Sequence, residues 1–281
     1  MDNQRIVIFA IGGLSLLTNG ILLLILFLDP LKKFRTTTSY LITSLTISDF
    51  LTGGVACAFA FGNRPVIMGI FWATILSSIF TVFFMSCERL VVVVHPFKAK
   101  RLITKRRIRV FIAASWLVSS VLGGLIYGLQ MPHLEYLELI LYSTILILVL
   151  ILDVMYFAII WHTKHKPKFS PESMRNRGVT IAQRQQRLTG VLLLLVTVLM
   201  VTVVPYLTVM AVFAGYRIFS DSRLVPNGFR VFSNYYFPVE LLNFVVNPVI
   251  YAWRLQDYQQ SVYFYFRNSP HTEVSNGGTL F

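Results

Sequence analysis

The chain has 281 residues, of which 56% are hydrophobic and 13% charged, and its mean hydropathy is +0.67. Soluble domains carry about 25% charged residues, so a water-soluble globular fold is excluded and a polytopic membrane protein is implied. The net charge of +13 would suggest nucleic acid as the partner of a soluble protein, but its uneven placement along this chain argues for membrane topology and against nucleic acid.

A membrane-crossing helix needs roughly 20 mostly apolar residues. Seven runs reach that length: Ile6–Leu28, Ser39–Phe61, Val66–Val94, Ile108–Leu129, Leu139–Trp161, Thr189–Phe213 and Val231–Trp253. They are continuous and rich in leucine and isoleucine, without the two-residue alternation of an outer-membrane barrel. The expected fold is an all-α membrane protein, a seven-transmembrane helix bundle with a short amphipathic C-terminal helix. Residues 1–268 form one domain, and the polar, glycine-containing segment 269–281 reads as a disordered tail.

Met1–Arg5 is too short for a domain or a cleavable leader, so the first span is expected to serve as its own insertion signal. Lys32, Lys33 and Arg35 follow that span. Seven basic residues from Lys98 to Arg109 separate the third and fourth spans, and seven from Lys164 to Arg187 separate the fifth and sixth. The alternate connections hold Arg64, then none, then Arg217, Arg223 and Arg230. The positive-inside rule therefore places the N-terminus outside and the C-terminus in the cytoplasm, the parity that seven spans require.

Several spans carry polar residues where lipid disfavours them. Asn19 interrupts the first, Asp49 the second, Ser78 the third, and Asn243 and Asn247 the seventh. A single asparagine is ordinary helix–helix glue, but an intramembrane carboxylate must be protonated, paired or ion-bound. Glu88 and Arg89 stand together at the inner end of the third run, followed by four valines and His95-Pro96. Cys57 and Cys87 fall at opposite depths, which predicts two buried thiols rather than a bridge. After Trp253-Arg254, the spacing of Leu255, Tyr258, Val262 and Phe266 predicts a helix lying flat on the membrane.

Asn19, Leu45-x-x-x-Asp49, Glu88-Arg89-Leu90, Trp116, Tyr156, Pro205 and Asn247-Pro248-x-x-Tyr251 occur in that order, one set per span. In this the chain resembles the rhodopsin-like (class A) G-protein-coupled receptors from about Ile11 to Phe266. The resemblance implies a receptor, not an enzyme, at the plasma membrane, responding to an unidentified extracellular ligand and activating a heterotrimeric G protein. Arg89 would pair with Glu88 at rest and swing into the inner cavity on activation, supported by Tyr156 and Tyr251. Five donors let a guanidinium exchange one set of partners for another without losing its charge. Pro205 kinks the sixth span because it lacks an N–H and clashes with the preceding turn, and Pro248 belongs to the seventh-span motif. Asp49, Ser78, Asn243 and Asn247, with Asn19 nearby, match the family's site for an allosteric sodium ion; oxygen ligands suit a hard cation. A water-filled network without an ion is the alternative. No other cofactor is implied.

The chain departs from the family pattern in several places. Leu90 replaces a tyrosine, Gln185 stands where many members carry an acid that clamps the arginine, and Val203 replaces the tryptophan two residues before Pro205. Arg64 falls where a disulfide cysteine is usual, and the connection Gln130–Glu138 is too short for a hairpin lid, a combination similar to the melanocortin receptors. Phe71 and Trp72 take the third-span positions facing the family's ligand cavity, which argues against a monoamine, and Leu241 takes the place of a retinal-binding lysine. Glu240, with Tyr127, Tyr142, Tyr206 and Tyr236, is a candidate cradle for a cationic group, or Glu240 bonds a neighbouring helix. Asp153 has no place in the family pattern.

The basic connector His162–Gln186 reads as a loop, anchored first by anionic membrane lipids. Ser269, Thr272, Ser275 and Thr279 are candidate phosphorylation sites for arrestin. Two further readings compete. A small-solute transporter would show inverted repeats or broken helices in both halves, and neither is apparent. A seven-helix protein with degraded or constitutive signalling would accord with Leu90, Gln185 and Val203.

Overall fold

The computed structural model of the chain describes residues 3–29, 32, 34–59, 61–62, 65–125, 134–165, 176–219, 226–254 and 256–267. Among these residues there is no strand. The helices are α1 (Asn3–Leu28), α2 (Thr37–Phe59), α3 (Pro65–Val94), α4 (Pro96–Leu102), α5 (Lys105–Gly123), α6 (Leu134–His165), α7 (Asn176–Thr202), α8 (Val204–Phe219), α9 (Asn227–Arg254) and α10 (Gln256–Arg267). The seven runs become α1, α2, α3, α5, α6, the pair α7–α8, and α9. Helices are what such runs must form in lipid, where every backbone N–H and C=O has to find a partner inside the protein.

Five stretches among the described residues are long and apolar enough to cross a membrane by themselves: α1, α2, α3, Tyr136–His162 in α6, and Arg187–Phe219 across α7 and α8. The other two spans carry polar loads. Lys105, Arg106, Arg107 and Arg109 open α5, and Arg230, Glu240, Asn243 and Asn247 lie along α9. The outward faces are apolar: Leu24 is 62% exposed and Val154 69%. Contiguous apolar surface of this kind is stable against acyl chains and not against water.

α3 is the central element, packed against α2, α5, α6 and α7. Its neighbours form two apolar clusters. Phe71, Trp72, Ile75, Tyr142, Leu199, Tyr206 and Phe244 belong to the outer one. Leu45, Val82, Met85, Tyr156, Leu192, Ile250 and Tyr251 belong to the inner one. Along each helix the polar residue singled out in the sequence stands between the two: Asp49 beyond Leu45, Ser78 between Leu76 and Val82, Asn247 between Phe244 and Ile250.

The sixth span breaks between Thr202 and Val204, just ahead of Pro205, as the proline predicts. Elsewhere the sequence reading needs correction. The connector His162–Gln186 is not all loop, because α6 continues to His165 and α7 begins at Asn176; residues 166–175 lie outside the described set. Glu138 belongs to α6 rather than to the outer connection. Both cysteines are free, but they are half-buried rather than buried. α10 forms at the expected place, with Tyr258 buried and Val262 partly buried. Its Gln259 amide donates to the carbonyls of Ala252 and Trp253 at 3.0 and 2.9 Å, capping the end of α9. The expectation for segment 269–281 falls outside the described residues.

Two helix crossings are close enough to need glycine. Gly12 of α1 and Gly53 of α2 face each other's backbone: a Cβ on Gly12 would lie 2.8 Å from the Gly53 carbonyl oxygen. On α5, a Cβ on Gly123 would strike the Gly69 carbonyl oxygen and sit 2.9 Å from the Ala73 nitrogen. Overpacking of this kind typically costs about 1–3 kcal/mol. Gly123→Ala is therefore expected to lower the thermal unfolding midpoint of the detergent-purified protein. Gly13→Ala on α1, whose added Cβ would meet nothing within 4 Å, should not lower it.

Candidate functional site

At the inner end of α3, Glu88 and Arg89 are both buried, with side chains 3% exposed, and Arg89 Nη2 lies 3.4 Å from Glu88 Oε2. Two threonines from the first turn of α2 complete the arrangement. Thr37 Oγ1 donates to Glu88 Oε1 at 2.9 Å, and Thr38 Oγ1 reaches the two carboxylate oxygens at 3.0 and 3.2 Å. Arg89 Nη2 in turn donates to Thr38 Oγ1. One hydroxyl thus bridges both charges, and the carboxylate faces the N-terminus of α2, the helix end that favours an anion. Nothing in the sequence marked Thr37 or Thr38, since threonine at a helix start reads as a cap.

Of the other predicted partners of Arg89, one is engaged elsewhere. Tyr156 Oη donates to the Thr189 carbonyl of α7 at 2.6 Å. Tyr251 is fully buried, and its hydroxyl has no hydrogen-bond partner among the described residues. Gln185 lies on the backbone of α7, but its side chain is outside the described residues.

Asp49 is fully buried where four helices meet. Ser78 Oγ donates to its Oδ1 at 3.0 Å and Asn247 Nδ2 to its Oδ2 at 2.7 Å. Ser15 Oγ donates to the Asp49 backbone carbonyl at 3.1 Å, a tie to α1 that the sequence did not single out. Asn19 Nδ2 donates to the carbonyls of Ser15 and Phe244 at 3.0 and 2.9 Å, joining α1 to α9. Asn243 is buried but makes no hydrogen bond to Asp49, so the structure brings three of the four predicted residues together. The oxygens Asn19 Oδ1, Ser77 Oγ and Tyr251 Oη are buried without partners among the described residues. Trp116 of α5 is tied to this side of the bundle through Ser44, at 3.1 Å.

The outer half is lined with rings. Phe71 packs on Trp72, Trp72 on Tyr142 with centroids 5.3 Å apart, and Phe237 on both Phe71 and Tyr206 at 5.7 and 5.8 Å. Among them Glu240 is 1% exposed, with no partner for its Oε2 among the described residues. Tyr206 is within electrostatic reach of Glu240, Tyr142 and Glu138. Glu138 forms an ion pair with Arg217 of α8, whose guanidinium lies 5.6 Å from the Phe213 ring centroid. Sequence reading missed this pair by assigning both residues to connections. The Tyr236 hydroxyl donates to the Val201 carbonyl at 2.5 Å. Asp153 gains no partner for its buried Oδ2 among the described residues. Tyr127 lies outside the described residues.

A bundle of seven spans, with an acid–arginine pair closing the inner end of the third and Asn-Pro-x-x-Tyr joined to a buried aspartate on the second, defines a seven-transmembrane receptor. The family described as 7 transmembrane receptor (rhodopsin family) matches residues 18–251. The chain belongs to that family, the rhodopsin-like (class A) G-protein-coupled receptors. It is 28% identical over 144 residues to the human Neuromedin-U receptor 1, a match covering 46% of this chain and 33% of that protein. It is 30% identical over 118 residues to the Drosophila melanogaster Tachykinin-like peptides receptor 86C, covering 38% of this chain and 23% of that protein. The matched segments thus span a third or less of these relatives' lengths.

Removing a buried hydrogen-bonding group costs about 1–3 kcal/mol when its partners are left unsatisfied. Thr38→Val should destabilise the protein by about that amount in thermal unfolding. Thr43→Val should cost far less, because the Thr43 hydroxyl only bonds back to the Ser39 carbonyl of its own helix.

Proposed function

We propose that this chain is a plasma-membrane receptor, N-terminus outside and C-terminus cytoplasmic, that responds to an extracellular peptide and activates a heterotrimeric G protein. The observation that carries this reading is the buried Glu88–Arg89–Thr38 arrangement at the inner mouth of the bundle. It holds a guanidinium that can exchange its present partners for others without changing charge. Activation is a population shift: a ligand that binds the open inner state better favours that state by its differential affinity alone. Tyr156 and Tyr251, whose hydroxyls are now on the Thr189 carbonyl and unpartnered respectively, would receive Arg89 in the open state.

A peptide ligand is supported by the name of one relative, the Tachykinin-like peptides receptor 86C. The aromatic outer half, with Phe71, Trp72, Tyr142 and Tyr206 around Glu240, whose Oε2 has no partner among the described residues, suits a side chain or terminus that combines an apolar surface with a positive charge. Basic residues at the inner face hold anionic lipid, each worth about 1 kcal/mol. The tail residues Ser269, Thr272, Ser275 and Thr279 would serve arrestin once phosphorylated.

Asp49, Ser78 and Asn247 also suit a sodium ion, which takes oxygen ligands. The buried, unpartnered oxygens of Asn19 and Tyr251 fit a layer that takes up water or an ion there. A bound ion would supply positive charge to the carboxylate and stabilise the resting arrangement by mass action.

Two outcomes test the reading. In cells carrying subtype-resolved G-protein sensors, the wild-type chain should activate at least one subtype, basally or with a peptide agonist. Arg89→Ala should abolish that signal at equal surface expression; an undiminished signal would rule out Arg89 as the output residue. Replacing potassium by sodium should raise the thermal unfolding midpoint of the wild type, and Asp49→Ala should remove the difference.

A further inference from the structure

The break in the sixth span leaves a backbone group to be accounted for. Pro205 has no N–H, so the carbonyl four residues earlier, on Val201, loses its helical donor. The ladder resumes on either side, with the Val203 nitrogen donating to Leu199 and the Leu207 nitrogen to Val203, both at 2.9 Å. Val201 itself is 61% exposed on the lipid-facing side of α7. Lipid offers no water to satisfy a stray carbonyl, so a partner must come from the protein.

That partner is Tyr236 of α9, whose hydroxyl donates to the Val201 carbonyl at 2.5 Å. Its ring is held by stacking on Phe232, with centroids 4.8 Å apart and planes at 14°. The next residue, Phe237, packs on Tyr206 in the first turn of α8, with centroids 5.8 Å apart. Two successive residues of α9 therefore grip the two sides of the break: Tyr236 the last turn of α7, Phe237 the first turn of α8.

We propose that Tyr236 is a positioning residue, which sets the bend of the sixth span by donating to Val201 the hydrogen bond that Pro205 removes. The inner half of the span, α7, is thereby tied to the outer part of α9. Tyr236 precedes Glu240 by four residues and so lies one turn away on the same side of α9. A ligand group seated at Glu240 would press on the tether and alter the bend; that last step rests on the receptor reading, whereas the tether itself does not.

The test is a double-mutant cycle on the full chain in lipid nanodiscs, without ligand or G protein. Nitroxide labels go on K98C and R187C in a C57S/C87S background, and electron–electron resonance reads the distance between position 98 on α4 and position 187, within α7 on the inner side of the break. Tyr236→Phe keeps the ring and removes only the hydroxyl. It should shift the ratio of the two principal distance populations about threefold to tenfold, the range that one net hydrogen bond sustains. Pro205→Ala returns an N–H to the helix and gives Val201 its own donor, so in that background Tyr236→Phe should have no effect. Pro205→Leu restores the same N–H if the alanine variant does not fold. No shift from Tyr236→Phe in the presence of Pro205, or an equal shift in both backgrounds, would overturn the proposal. Because no G protein is present, a failure to signal would count against the receptor reading alone.

Discussion

A carboxylate placed in the middle of a lipid-embedded bundle is the constraint on which the rest of this structure depends. Asp49 is fully buried, and the donors on its oxygens come from α3 and α9, while its own backbone carbonyl is taken by α1. Leaving such a group without donors would cost several kcal/mol. Any sliding of α3 or α9 past α2 would break a bond to it. Helices in lipid have little hydrophobic drive to pack against each other, so polar ties and small-residue contacts are what specify their register. Here the Asp49 ties fix the depth, and the facing glycines Gly12 and Gly53 allow α1 to come close enough for Ser15 to reach. The outer and inner apolar clusters then lie on either side of one polar layer.

The inner charge pair obeys a different balance. A buried ion pair gains Coulomb energy but loses hydration, and the net contribution to stability is commonly small. Thr37 and Thr38 supply the hydroxyls that keep the pair from being a net loss, and the start of α2 adds a favourable dipole. An arrangement that is well satisfied but not strongly stabilising can be exchanged for another at modest cost. This is the property that the proposed function asks of Arg89, whereas a firmly stabilising pair would resist activation.

The features legible in the sequence were those where a residue type contradicts its surroundings. Asp49, Asn247 and Glu88-Arg89 stand out because lipid disfavours them, and Pro205 because a helix cannot absorb it unbent. Features that depend on a residue meeting an ordinary group could not be read. Thr38 looks like a helix cap until α3 is seen to bring two charges to it. Glu138 and Arg217 look like loop charges until α6 and α8 place them opposite each other. Tyr236 was counted among pocket tyrosines because its partner is a backbone carbonyl, which carries no residue signature. Asn243 is buried at the expected spacing but makes no direct bond to Asp49. Spacing fixes the face of a helix and leaves the last ångströms to packing.

The distribution of polar ties also says where the bundle can move. α1, α2, α3 and α9 are joined at mid-depth through Asp49, Ser15 and Asn19, and α5 joins them through Trp116 and Ser44. The spans α6 and α7–α8 are held differently. The Glu138–Arg217 pair links them at the outer end, the Tyr156 hydroxyl meets a backbone carbonyl at the inner end, and the Tyr236 hydroxyl meets another at the break. A phenol on a carbonyl contributes only about 0.5–1.5 kcal/mol net, well below the cost of stripping donors from a buried carboxylate. Motion of the inner half of the sixth span therefore meets less resistance than motion of α2 or α3. The break at Thr202–Val204 places a hinge where that motion would turn, and among the described residues two of the polar contacts that restrain it are single hydroxyls on backbone carbonyls, beside the apolar packing of Leu192 and Leu195.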